Sequence, residues 1–234
     1  MDGNRRYARK RHLNVTQGHT DGYGALRKLL EVCLQLHIKC VTVYAFSIEN
    51  FKRSEEEVRA LMTLAKEKLL ELCENGDLLE EYGVKLNVLG KTALLPHDVQ
   101  EAVRKAEVMT QNHNRAILNL CMPYTSRDEI VTAIESTINK TLENGTNLDD
   151  ITEDSIDAEM MTTARGSPPL DILVRTSGVR RLSDFMLWQC CENTQIHFTP
   201  TYWPDFGMRE FIPVILEYQV KVWNRRKHVT KKAT

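Results

Sequence analysis

The chain has 234 residues, 31 of them Lys or Arg and 32 Asp or Glu, so its formal charge is −1 and no net field advertises a nucleic-acid partner. With 42% hydrophobic and 7% aromatic residues it has the composition of an ordinary globular protein, long enough to bury one sizeable core in a single domain. No apolar run approaches the roughly 20 residues needed to span a bilayer, and charges stand where a signal peptide would carry its apolar segment, so the chain is read as facing the cytosol.

The sequence opens MDGNRRYARKRH. A glycine beside Asp2 lets the backbone approach a ligand closely, Asp2 can hold a hard cation such as Mg²⁺, and Arg5 and Arg6 can grip phosphate oxygens in a fork. The competing reading is a solvated, disordered basic terminus. A helix is expected over 22–36, with Leu26, Leu29, Leu30, Cys33 and Leu36 on one apolar face, followed by a strand in CVTVYAF. A second helix is expected over 54–74, with Ser54 as N-cap, Glu57 completing a capping box, and Val58, Leu61, Met62, Ala65, Leu69 and Leu72 on one face. These two faces either join the core or leave an apolar slot, and periodicity does not separate the possibilities. Next come a strand in VKLNVLG, a helix over 96–111, a strand in AILNLCM and a helix after Ser126. The polar stretch 142–169 reads as a loop and a short helix, before a strand in DILVRTS, another short helix and strand, and a last helix over 214–222.

Strands alternating with helices predict an α/β fold with a central parallel β-sheet flanked by helices. Ligands of such sheets bind beyond the carboxyl ends of the strands, which makes the residues directly after each strand the candidates for chemistry. FSIENFKRS follows CVTVYA, and RTSGVRRLS follows DILV. MDGNRR would be a third such loop if a strand preceded it, so the first strand of the fold is expected to be missing before Met1. The three loops would bring Arg5, Arg6, Arg53, Arg175 and Arg181 together with Asp2, a set suited to a ligand with several negative charges, such as a diphosphate.

Other motifs carry less. LGKT at Leu89 to Thr92 ends like a phosphate-binding P-loop, but that motif needs a glycine where Lys85 stands. DDITED, from Asp149 to Asp154, resembles the metal-binding clusters of all-helical trans-prenyltransferases, yet it is single and reads as a solvated acidic face. Cys33, Cys40, Cys73, Cys121, Cys190 and Cys191 show no CxxC spacing, which predicts reduced, mostly buried thiols and no zinc. The sequons at Asn14, Asn139 and Asn144 lack a secretory context and read as chance matches.

MDGNRRYA, the pair Gly18 and His19, YAFSIENFKRS, RTSG with RLSDFMLWQ, and YWPDF together resemble the cis-prenyltransferase (undecaprenyl diphosphate synthase-like) family, in particular its eukaryotic dehydrodolichyl diphosphate synthase catalytic subunits. The resemblance runs from Met1 to about Val222. It implies one cis-prenyltransferase domain over 1–234 with a hydrophobic tunnel, adding isopentenyl diphosphate units to farnesyl diphosphate with Z double bonds. The product would be a long-chain polyprenyl diphosphate for dolichol synthesis and protein glycosylation. By the same resemblance Asp2 helps bind Mg²⁺ and diphosphate, Gly3, Asn4, Arg5 and Arg6 hold the allylic diphosphate, and His19 lies near it. Ser47, Glu49 and Asn50 order the reacting groups, Phe51 packs near the reactive carbons, and Arg53, Arg175, Arg181 and Ser183 bind diphosphate. Asp2, Asn4 and Asn50 are the candidate catalytic residues, with Asn50 assisting proton removal.

Four departures from the family pattern stand out: Val179 in place of a common Glu, Val15 in place of an Arg, Gln195 in place of an acidic Mg²⁺ ligand, and a tail, NRRKHVTKKAT, without an RxG motif. The last two imply a heteromer in which a Nogo-B-receptor-like partner supplies RxG, with peripheral association at the cytosolic face of the endoplasmic reticulum or at lipid droplets. Two alternatives stay open, a non-catalytic accessory subunit and a phosphate-binding module.

Overall fold

A computed structural model describes residues 1–73 and 78–232, and the side chains of residues 72, 73 and 225–232 lie outside that description. In chain order the elements are α1 (Asn4–Lys10), α2 (Val15–Gln35), β1 (Cys40–Tyr44), α3 (Glu55–Cys73), α4 (Leu78–Glu81), β2 (Val84–Leu89), α5 (His97–Thr110), β3 (Ala116–Cys121), α6 (Ser126–Glu143), α7 (Glu153–Glu159), α8 (Met161–Ala164), β4 (Ile172–Arg175), β5 (Gln195–Phe198) and α9 (Met208–Lys232). The expected alternation of helix and parallel strand holds along the chain. The residues fall into two compact units, one made of Met1–Leu29, Leu170–Arg181 and the chain from Cys190 onward, the other of Leu30–Pro169 with Leu182–Gln189.

The larger unit is built on a three-stranded parallel sheet in the order β1, β3, β2. β2 and β3 each bury five of six residues, as strands covered on both faces must. Within that apolar setting Asn87 and Asn119 are paired in register and fully buried. Asn87 Nδ2 donates to Asn119 Oδ1 at 3.0 Å, and Asn119 Nδ2 donates to Thr42 Oγ1 at 3.0 Å and Ser167 Oγ at 2.8 Å. A one-residue slip of any strand would break this polar ladder and turn every side chain to the opposite face, so the ladder pins the register. Met62 and Leu69 of α3 and Val99, Ala102, Val103 and Ala106 of α5 supply buried helical residues. The stretch 142–169 holds two short helices, α7 and α8, rather than one. Leu36 lies beyond the end of α2 and is half exposed, so it leaves the apolar face that periodicity assigned to it. Leu72, also assigned to such a face, lies outside the described side chains.

The smaller unit carries the two-stranded parallel pair β4 and β5, with Arg175 opposite Phe198 and Ile172 opposite Gln195. Its packing begins where α1 crosses the first turns of α2. A Cβ on Gly18 would stand 2.5 Å from the Asn4 carbonyl oxygen and one on Gly22 would stand 2.7 Å from Asn4 Oδ1, so these two glycines allow the helices to touch. Trp203 closes the contact by donating its indole N–H to the Gly22 carbonyl at 2.7 Å and stacking on Phe206. The competing reading of the basic opening segment as a disordered tail falls away, since that segment is a helix, α1. α9 starts at Met208 and runs through Pro213, six residues before the expected start at Val214. Cys33 and Cys121 are buried, Cys40 and Cys190 are half-buried and Cys191 is exposed, all as free thiols; Cys73 lies outside the described side chains.

Candidate active site

In the smaller unit the residues after β4 meet the first turn of α1. Gly3 caps that helix with φ +111°, and a Cβ there would stand 3.1 Å from the Trp203 nitrogen and 3.2 Å from the Ser177 Cβ. Only glycine fits both the backbone angle and the space. The turn places Asp2 between two guanidinium groups: Arg6 Nη2 donates to Oδ1 at 3.0 Å and Arg175 Nη2 to Oδ2 at 2.9 Å. The Asp2 carbonyl accepts Thr176 Oγ1 at 2.7 Å and the Trp203 N–H at 3.3 Å. Arg6 also donates to Ser177 Oγ at 2.6 Å and lies over the Tyr202 ring, while Arg175 donates to the Arg181 carbonyl. Burial alone would raise the Asp2 carboxyl, but the hydrogen bonds from Arg175 and Arg6 outweigh it and hold the group below its ordinary value.

Asn4 is buried at the start of α1, with Nδ2 3.4 Å from His19 Nδ1, and its Oδ1 is buried without a hydrogen-bond partner among the described residues. Arg5 is exposed, as is Arg181. Gln195 opens β5 opposite Ile172, so the register puts it three residues, about 10 Å, along the sheet from the level of Arg175. Among the described residues no group of three His, Cys, Asp or Glu side chains could hold a metal ion. A divalent cation here would take one carboxylate, Asp2, from the protein and its other ligands from phosphate oxygens and water, which is a mode Mg²⁺ favours.

In the larger unit two loops carry the remaining candidates. After β1, Ser47 caps a 3₁₀ turn, Ile48–Lys52: its Oγ accepts the Glu49 N–H at 3.2 Å, and Asn50 Oδ1 accepts the Ser47 N–H at 3.1 Å. The cap therefore fixes the Asn50 side chain and leaves its carbonyl a second lone pair. Glu49 pairs with Lys52, Phe51 packs edge-on against Phe46 at 5.0 Å, and Arg53 donates to Glu57 Oε1 at 2.8 Å with both side chains largely buried. The Glu57 N–H reaches Ser54 Oγ at 3.4 Å, as the expected cap requires. The second loop, 182–189, forms turns and bends where a short helix was expected, with Ser183, Asp184 and Met186 all at positive φ. Ser183 is exposed, and its carbonyl accepts the Tyr44 hydroxyl at 3.4 Å.

The structure thus joins Asp2, Gly3, Arg6 and Arg175, with Asn4 beside His19, and orders Ser47, Glu49, Asn50, Phe51 and Arg53 on one turn. Sequence reading missed Thr176, Ser177, Trp203 and Glu129. Thr176 and Ser177 stand inside the RTSG segment it had singled out, whereas the burial of Glu129 has no local sequence signal.

A guanidinium-flanked carboxylate just past the carboxyl end of a parallel strand defines an α/β protein equipped to bind a polyanion. Comparison with known proteins is more specific. The prenyltransferase family model described as "Putative undecaprenyl diphosphate synthase" matches residues 1–227, and the chain belongs to that family. It is 47% identical over 222 residues to a dehydrodolichyl diphosphate synthase complex subunit of Schizosaccharomyces pombe, covering 94% of this chain and 83% of that one. The Homo sapiens dehydrodolichyl diphosphate synthase complex subunit is 44% identical over 94% of this chain, which spans only 65% of that relative's length. The crystal structure of lavandulyl diphosphate synthase from Lavandula x intermedia, in complex with dimethylallyl diphosphate, superposes with a TM-score of 0.85 at 31% identity, covering 93% of this chain and 92% of that one.

Proposed function

We propose that the chain acts as one cis-prenyltransferase domain that condenses isopentenyl diphosphate units onto farnesyl diphosphate, with Z double bonds, to give a long-chain dehydrodolichyl diphosphate. The product would serve dolichol synthesis and protein glycosylation, and the enzyme would sit peripherally on the cytosolic face of the endoplasmic reticulum. The observation that carries this is Asp2 gripped by Arg6 and Arg175, in a chain 47% identical to a subunit named for this synthesis. Among the described residues no helix is long and apolar enough to cross a membrane.

The chemistry asks for what these residues offer. The allylic C–O bond breaks and its diphosphate leaves as an anion, the isopentenyl double bond forms the new C–C bond at the allylic carbon, and loss of a proton sets the new double bond. Arg6, Asn4 and the Gly3 backbone hold the allylic diphosphate, with Arg5 and His19 close to it. Guanidinium groups fixed in advance stabilise charge that grows in the transition state. Asp2 would hold Mg²⁺, which when bound neutralises charge on the leaving group. Arg53 binds substrate diphosphate, Arg175, Arg181 and Ser183 bind mainly that of isopentenyl diphosphate, Ser47 and Glu49 order the reacting groups, Phe51 lies near the reactive carbons, and Asn50 assists proton removal. The growing chain would occupy an apolar tunnel.

The names of the relatives call them complex subunits. A Nogo-B-receptor-like partner supplying RxG fits this reading, in which Gln195 takes the place of an acidic Mg²⁺ ligand. The exposed stripe of α9, with Ile212, Leu216 and Val220, is a surface such a partner could cover. The test is incorporation of radiolabelled isopentenyl diphosphate with farnesyl diphosphate and Mg²⁺, with and without the partner. Long polyprenyl products in the presence of the partner are expected. Binding without turnover in both cases would leave a phosphate-binding module, and activity that survives Asp2→Ala in this chain would make it an accessory subunit.

A further inference from the structure

Glu129 lies in the first turn of α6 and is 1% exposed, an unusual place for a carboxyl group. The groups that meet its carboxyl among the described residues are donors. The Tyr124 hydroxyl bonds Oε2, the Met161 N–H bonds Oε1 at 2.9 Å, and Gln189 Nε2 reaches both oxygens at 3.2 Å. Burial outweighs these bonds and pushes the carboxyl above its ordinary value, while the four donor contacts are those that a deprotonated carboxylate accepts.

Two of the donors lead to the loops already described. Tyr124 is the β-bridge partner of Ser47: its N–H donates to the Phe46 carbonyl at 3.1 Å and its carbonyl accepts the Ile48 N–H at 3.4 Å. The Tyr124 ring also packs edge-on against Tyr44 and Phe185. Gln189 closes the 182–189 loop and donates a further bond to Thr162 Oγ1 at 3.1 Å. The other end of that loop is strapped to the same helix start, with Asp184 accepting Arg127 N and Nε at 2.9 Å and the Leu187 N–H bonding Ser126 Oγ at 2.9 Å. Three left-handed, non-glycine residues within this loop need such support, since each costs free energy that its surroundings must offset.

We propose that Glu129 is a positioning residue, a buried carboxylate that fixes the Ser47–Asn50 turn through Tyr124 and the Ser183 loop through Gln189. Its effect on catalysis rests on the reading of Ser183 as a diphosphate ligand; its effect on the loops does not. Two readouts therefore separate the two ideas. The first is amide hydrogen exchange in Glu129→Gln, which keeps the shape but sets an amide NH₂ against that of Gln189. Exchange should quicken in 46–53 and 182–189 and stay unchanged in α5 and β2. Gln189→Leu should quicken only 182–189. The second readout is kinetic. Glu129→Gln should raise KM for isopentenyl diphosphate about tenfold or more, because a small displacement of a binding loop is costly, and leave KM for farnesyl diphosphate within about twofold. A merely structural role would lower the melting temperature and the active fraction while exchange in both loops and both KM values stayed put, and that result overturns the proposal. So does unchanged exchange in both loops of folded Glu129→Gln. If that variant does not fold, unchanged exchange of 182–189 in Gln189→Leu overturns it instead. Faster exchange with unchanged KM supports the positioning role and removes Ser183 from the ligand set. The double variant Glu129→Gln with Gln189→Glu, which restores a donor facing a carboxylate, should recover part of the protection.

Discussion

Asp2→Asn separates the chemistry of the site from its architecture, because the replacement is nearly isosteric and removes one charge. The Arg6 pair is 42% and 34% exposed, so its loss costs about 0–1 kcal/mol. The Arg175 side chain is 12% exposed, and a charge-assisted bond to so buried a guanidinium contributes roughly 1.5–3 kcal/mol. Asparagine keeps one acceptor, and a neutral bond retains about half of that. The expected loss of stability is therefore on the order of 1–2 kcal/mol, a fall of about 2–4 °C in melting temperature for each kcal/mol. Turnover should suffer far more. As a proposed Mg²⁺ ligand Asp2 would act on the developing anion through the cation, and loss of one such preorganised electrostatic contribution costs on the order of 3–4 kcal/mol, roughly a hundredfold to a thousandfold in kcat. Steady-state incorporation of labelled isopentenyl diphosphate, measured well below the melting temperature of the variant and alongside a thermal melt, gives both numbers. Activity above a third of wild type refutes the role of Asp2, and a melting temperature so low that unfolding explains the loss refutes the separation.

Four further outcomes are expected. Arg181→Ala should raise KM for isopentenyl diphosphate alone, whereas Arg175→Ala should also lower kcat, since it strips Asp2 of a partner; equal effects on farnesyl diphosphate would reverse the site assignment. Gly18→Ala drives a Cβ to 2.5 Å from backbone and should cost about 1–3 kcal/mol in a denaturant titration, while Gly24→Ala, with nothing within 4 Å, should stabilise by about 0.5–1 kcal/mol. Because folding depresses the Asp2 carboxyl, its stabilisation is complete above the ordinary value of 3.8 and is lost as pH falls through the lower folded value. The stability gap between wild type and Asp2→Asn, followed by acid titration, should therefore close only below pH 3.8. Finally, the chain alone should turn over weakly and gain activity with a partner carrying RxG; full activity alone, indifferent to the partner, would refute the heteromer and spare the enzyme class.

The larger rhythm of the fold was legible because β1, β2, β3 and β4 are apolar, β-branched runs between amphipathic helices, and periodicity reports burial directly. What escaped notice depends on contacts between distant residues. NRRYARK has no apolar stripe, so α1 is visible only once Asn4 and Ala8 are seen against Gly18. The first two turns of α2, VTQGHTD, likewise carry no apolar stripe, and that helix was expected seven residues late. Glu129 sits among Ser126, Arg127 and Asp128, where every neighbour suggests a solvated first turn; its burial is decided by Tyr124 and Gln189. The strand-end rule, with arginine beside serine, pointed to the segment from Arg175 to Ser177, which the structure brings against Asp2 and Arg6.

The charge balance around Asp2 explains why an acidic residue belongs in an anion site. Arg6 and Arg175 bring two positive charges and Asp2 one negative, leaving one positive charge for a ligand. Without Asp2 two guanidinium groups, one of them largely buried, would repel each other before any ligand arrived; the carboxylate offsets that repulsion and holds both in place. One surplus positive charge does not balance a diphosphate, so tight binding calls for more cation than these three side chains provide. Asp2 can supply it by turning an oxygen toward a divalent ion, which would free a guanidinium for phosphate oxygens at the same moment. On this account Asp2→Asn weakens diphosphate binding chiefly when Mg²⁺ is present, whereas a purely structural Asp2 would weaken it equally in chelator. Titration of farnesyl diphosphate by calorimetry, with Mg²⁺ and with EDTA, decides between them: a difference between wild type and variant that is the same in both buffers would sink the metal role.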